Sequence, residues 1–263
     1  MTSHQIATVD LVTPQEVRLA CREGRLSTTT RGLAMGFVQC NLVVLREKYA
    51  YEFLLYCQRN QRSCPVLEVT DTGDPQPKQL APLADLRTDL PRYAVYREGQ
   101  RLEDVTSIED LWQDDFVAFL IGSGISFDYA LENAGVPTTR NRWVLRTNIP
   151  TIPAGRFRGP LVVTMRWLTP EQAITATQVT ARFPFNHGAP IHIGDPQAIG
   201  ADLADPYLGP PVTEIPMSVS PVFWACGVTP QEAALAAKID IMITHSPGHG
   251  FVTDLEARRL ALP

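Results

Sequence analysis

No apolar run in this chain approaches the roughly 20 residues that a membrane-spanning helix needs, so no transmembrane segment is expected. The opening Met1 to Gln5 lacks the basic-then-apolar layout of a secretion signal. Its five cysteines (Cys21, Cys40, Cys57, Cys64, Cys226) are odd in number and scattered, and no C-x-x-C occurs. A disulfide framework is therefore not expected, and reduced thiols in a cytoplasmic compartment are. With a net charge of −5 and no basic stripe, a nucleic-acid surface is excluded as well. Internal repeats and low-complexity segments are also missing. Proline, by contrast, is abundant: 22 of 263 residues against about one in twenty ordinarily. The prolines are spread along the chain, which implies many fixed turns.

Local signals place several helices. Thr13-Pro14 with Glu16, Thr169-Pro170 with Gln172 and Thr229-Pro230 with Glu232 each combine a capping Thr, a Pro at the first turn and Glu or Gln three residues on. Between the helices lie apolar runs such as Phe116–Ile121, Leu161–Met165, Val222–Ala225 and Ile239–Thr244. Continuous apolar strands alternating with helices predict an α/β fold with a mainly parallel sheet and flanking helices. Residues 142–218 carry their own strand, helix, strand pattern. They read as a smaller inserted α/β domain, with 1–141 and 219–263 forming the main one. In such sheets ligands bind beyond the carboxyl ends of the strands, here after Ile121 and Ala225.

The last third of the chain holds the candidate chemistry. Four of five histidines fall in Gly/Pro-punctuated blocks: His187 and His192 with Asp195, and His245 and His249 with Asp254. Histidine exchanges protons near neutral pH with little tuning, and loops on a rigid scaffold are where reactive groups sit. The pairs His245/His249 and His187/His192 are thus candidates for general acid and base, with Asp195 or Asp254 to orient them. Three or more of these groups folding together would also suit a divalent metal, although no cofactor is required by the pattern. Gly122-Ser123-Gly124-Ile125-Ser126 is a turn able to cradle an anion, but Phe127 breaks the dinucleotide fingerprint. Cys226, opening a turn after a strand, fits either a nucleophilic thiol or a small residue at a crowded corner. Arg146, near Asn148 in a Pro-flanked segment, suits bidentate capture of a carboxylate.

Long blocks of the chain resemble the D-glutamate cyclase family, whose bacterial members carry a hydro-lyase label. They include Gly36 to Leu42, Tyr56 to Asn60, Leu86 to Tyr93, Arg146 to Pro150 and Gly159 to Val163. The likeness continues through His187 to Pro196, Pro221 to Pro230 and Thr244 to Asp254. It departs at Ser123, where relatives commonly have Cys, and at Gly250, which replaces a larger residue. The resemblance implies a two-part α/β protein and a cytoplasmic carbon–oxygen lyase that removes water from a small acidic substrate, foremost D-glutamate closing to 5-oxo-D-proline. In that reading Arg146, Asn148, Ser123, Ser126, Cys226, Thr229 and Asp195 bind substrate. The partner is then a small molecule, with neither membrane nor nucleic acid involved; self-association into a homo-oligomer is compatible with it. Two other readings stand beside it: a non-catalytic carboxylate-binding subunit, and a metal-dependent dehydratase of small hydroxy acids.

Overall fold

Every named strand pairing in this protein is antiparallel, which corrects the parallel sheet expected from the sequence. The structure, a computed structural model, describes residues 11–139 and 141–263; the Met1 to Gln5 opening discussed above lies outside them. The chain runs α1 (Pro14–Arg22), β1 (Phe37–Arg46), α2 (Glu47–Arg59), β2 (Val66–Val69), β3 (Tyr93–Arg97), β4 (Gln100–Val105), β5 (Phe116–Gly122) and α3 (Asp128–Asn133). It continues with β6 (Trp143–Pro150), β7 (Pro160–Leu168), α4 (Pro170–Ala181), β8 (His192–Ile193), β9 (Ser220–Ala225), α5 (Thr229–Ala237), β10 (Met242–His245) and β11 (Phe251–Glu256). No described helix is long and apolar enough to cross a membrane.

The larger sheet has the order β2-β5-β1-β10-β3-β4, with β11 also paired to β1; the smaller is β6-β7-β9-β8. The apolar runs misled because the large sheet is covered on both faces. Along β5, Phe116, Ala118 and Leu120 enter one core while Val117, Phe119 and Ile121 enter another. Two-sided burial makes a strand apolar throughout whatever its pairing direction. The smaller sheet takes in β9, so Val222–Ala225 pairs with β7 rather than with the strands of the larger sheet.

Local chemistry explains the helix starts. Thr13 and Thr169 each close a reciprocal capping box, with Glu16 and Gln172. The third expected cap is different. Val228 occupies that position in α5, and the Thr229 hydroxyl instead bonds Val162 N–H at 3.0 Å on β7. Two glycines then allow close approaches around the cleft. A Cβ on Gly122 would stand 1.8 Å from the Phe185 carbonyl oxygen, and one on Gly227 would stand 1.9 Å from Asn41 Nδ2. We therefore expect Gly122→Ala to cost about 2–3 kcal/mol by overpacking, read as a drop of roughly 5–10 °C in Tm. An unchanged Tm would mean that the 183–187 turn yields freely and does not fix the cleft.

Candidate active site

A cleft opens where the ends of β5, β9 and β10 converge, lined by Ser123, Cys226 and His245 together with His187, Asn41, Thr164 and Trp224. The two strand ends singled out in the sequence thus share one cavity. About 50 Å³ of it is open to the centres of water-sized groups, the scale of a small-molecule site. Three arginines face it: Arg31, Arg142 and Arg166. No Asp or Glu is among the described residues that line it.

Two of these arginines share one counter-charge, Asp128, buried at the start of α3. It pairs closely with Arg166 of β7 and more loosely, at 3.4 Å, with Arg142. Arg166 is 1% exposed, and its guanidinium carbon also lies 5.9 Å from the Trp224 ring centroid. Burial draws its pKa down from the ordinary arginine value. Burial, then the neighbouring Arg142, lowers Arg31 to about 10. Nε of Arg31, Nε of Arg142 and Nη1 of Arg166 are buried without a hydrogen-bond partner among the described residues. Unpaired buried donors are costly, and a site that tolerates them is shaped to receive acceptors.

Two histidines line this cationic cleft, held by backbone groups in opposite senses. His187 has φ = 80° at the end of a short turn, Pro184–Asn186. Its Nδ1 donates to the Arg62 carbonyl at 2.9 Å, which leaves Nε2 as a bare lone pair in the neutral ring. His245 ends β10, and its Nδ1 accepts the Leu42 N–H at 3.2 Å, so the neutral ring carries its proton on Nε2. Neither Nε2 bonds a described residue. Burial pushes both rings down to about 4, so both are neutral at physiological pH. The result is one acceptor and one donor on the walls of one cleft.

The other residues proposed from the sequence lie elsewhere. His249 donates from Nδ1 to the Pro247 carbonyl at 2.9 Å and is held below its usual pKa chiefly by burial. His192 bonds the Asp195 carbonyl at 2.7 Å, beside the Phe223 ring. Asp195 caps the turn at Pro196 by accepting Gln197 N–H. Asp254 holds Arg18 through both oxygens, at 2.9 and 3.1 Å, so neither carboxylate orients a cleft histidine. Arg146 is exposed, paired with Glu232 and stacked over Tyr207, and Asn148 is exposed on β6. Ser126 exchanges hydrogen bonds with the Gln39 backbone. Of the substrate-binding candidates, Ser123 and Cys226 reach the cleft. Among the described residues, no three His, Cys, Asp or Glu side chains gather as a metal site would require.

Sequence reasoning missed Arg31, Arg142, Arg166, Asp128 and Asn41. One signal was available: Arg166 interrupts the apolar run Leu161 to Leu168, and a charge in mid-strand with no local partner must find a distant one.

Residues 117–254 match the protein family described as D-glutamate cyclase. A Bacillus licheniformis protein named "Putative hydro-lyase" is 53% identical over 94% of this chain and 96% of its own length. A Bacillus subtilis protein with the same designation is 49% identical, over 95% and 99%. Among solved structures, a nitrogen repressor-like protein from Methanococcus jannaschii aligns with 87% of this chain and 90% of its own, at 12% identity and a TM-score of 0.39.

Proposed function

Since this chain belongs to the D-glutamate cyclase family, we propose that it is a hydro-lyase closing D-glutamate to 5-oxo-D-proline in the arginine-lined cleft. The observation that carries the reading is the pair of neutral, oppositely protonated histidines on the walls of a buried cationic pocket. In the reaction the amino nitrogen gives up two of its three protons and forms a bond to the side-chain carboxyl carbon. One oxygen of that carboxyl departs with both protons as water, so atoms and charge balance. His187 Nε2, unprotonated at neutral pH, takes the two protons from nitrogen one after the other and relays each to the leaving oxygen. Nε2–H of His245 donates to the oxygen that gains negative charge in the tetrahedral intermediate. The arginines offset the charge of the carboxylate under attack, and the acid-free lining favours the neutral, nucleophilic amine over the ammonium. Holding the two ends of one molecule together supplies further rate, since oriented intramolecular reactions reach effective molarities of about 10⁵–10⁸ M.

The acid-free lining also favours a second reading, dehydration of a small hydroxy acid, whose hydroxyl carries no charge. One assay separates the two. The purified protein is incubated with D- and L-glutamate, D- and L-aspartate and a series of hydroxy acids, and products are scored by mass for loss of one water. Turnover of D-glutamate is expected; turnover confined to hydroxy acids selects the second reading. Binding without turnover across the panel would leave a carboxylate-binding subunit.

A further inference from the structure

We propose that Arg31 and Arg142 are the groups that grip the guest's two carboxylates, and that Asp128, by engaging Arg166 beneath them, positions the pair and sets a preference for dianions. This deepens the preceding reading and rests on it only for the location of the site. The argument is one of charge and unmade bonds. Three guanidinium groups face the cleft and one buried carboxylate stands behind it, leaving two positive charges uncompensated by any lining side chain.

The three arginines are not equivalent. Arg166 is buried under Trp224 and closely paired with Asp128. Arg142 has only the 3.4 Å contact with the same carboxylate oxygen, and its Nε is unpartnered. The Arg31 side chain makes no hydrogen bond to a described residue, and its Nε is likewise unpartnered and buried. Arg31 arrives from the loop after α1, whereas Arg142 precedes β6. The two therefore come from separate parts of the chain. Guanidinium is suited to this because its planar donors meet a carboxylate two at a time. Asp128 touches no ligand in this scheme. Its Oδ1 holds Arg166 and limits the free charge to two, so a monoanion leaves one cation unsatisfied in a poorly solvated site.

The test uses glutarate, a five-carbon dianion with no amine, and its monoamide, which has the same length and one charge. Neither can cyclise, so the result does not depend on turnover. Calorimetric titration of the full chain should show glutarate binding at least about tenfold more tightly than the monoamide, the worth of one charge-assisted contact. Arg31→Met and Arg142→Met should each weaken glutarate about 10- to 100-fold and bring it level with the monoamide. Both variants should keep or raise the ligand-free Tm, because each removes a buried cation that lacks a full partner. Asp128→Asn tests the positioning role. With the third cation released, tricarballylate, which adds a third carboxylate to the glutarate chain, should gain about tenfold on glutarate, and kcat for D-glutamate should fall more than KM rises. Equal affinity for the two probes in the unaltered protein would overturn the proposal, as would full glutarate affinity in both Met variants. Unchanged selectivity in folded Asp128→Asn would overturn the part assigned to Asp128. If glutarate binds selectively but D-glutamate is inert, the D-glutamate reading fails and the dicarboxylate grip stands.

Discussion

Replacing His187 by Asn is expected to leave the fold standing and to slow turnover about 10²–10⁴-fold, the usual worth of a positioned general base. Asn suits this position for two reasons. The residue sits in the left-handed region at φ = 80°, which Asn tolerates better than most side chains. Its amide also supplies an N–H for the Arg62 carbonyl that the imidazole now serves. What Asn cannot do is carry a proton. A thermal melt beside the rate measurement separates the roles, and full activity in a folded Asn variant would remove His187 from the mechanism. The pH profile adds an independent check. Because the ring is held near 4, the rate should show no acid limb at the ordinary histidine value of about 6.5. A limb there would place the working base outside the buried cleft.

Acid should destabilise this protein steeply, between about pH 6.5 and about pH 4. Above that window neither folded nor unfolded histidines hold the extra proton, and nothing is lost. Within it the unfolded chain takes up protons that His187 and His245 refuse in the fold, so stability falls as pH falls. Below about 4 both states are protonated and the loss is complete. Each ring contributes roughly 3 kcal/mol by this linkage, and the two together approach the whole stability of a typical domain, about 5–15 kcal/mol. Urea unfolding at a series of pH values reads the effect directly. The double variant His187→Asn, His245→Gln should flatten the dependence across this window. A wild-type curve no steeper than that of the double variant would show that the rings are freely solvated.

The features legible in the sequence were those settled by near neighbours. The capping boxes at Thr13 and Thr169 involve residues three apart, and they are present. The strand ends at Ile121 and Ala225, marked by the glycines that follow, do meet at one cleft. Strand direction was not legible, because a core on each face erases the alternation that usually marks an antiparallel sheet. The β3–β4 hairpin also went unseen. Its turn puts Glu98 and Gly99 at φ of 49° and 76°, where Asn-Gly or Asp-Gly is the usual signal. Of the four histidines, those buried in the cleft could not be told from the other two by spacing, since Arg62 and Leu42 fix them from more than a hundred residues away in sequence. The cationic wall is likewise tertiary: Asp128 meets Arg166 thirty-eight residues on, and no local pattern joins them.

The pairing of β1 has a consequence for how the molecule is made. One flank of this strand is satisfied by β5 from Cys40 to Arg46. The other waits for β10 and β11, with Val43 meeting Thr244 roughly 200 positions later. During synthesis, strand β1 therefore spends most of the chain's translation with one row of amides and carbonyls open, in a segment that is apolar on both sides. Such an edge invites pairing with other nascent copies, and closing it across so long a loop is slow. The same late event carries His245 into place. A ribosome-bound chain halted before Met242 is thus expected to be both prone to association and inert.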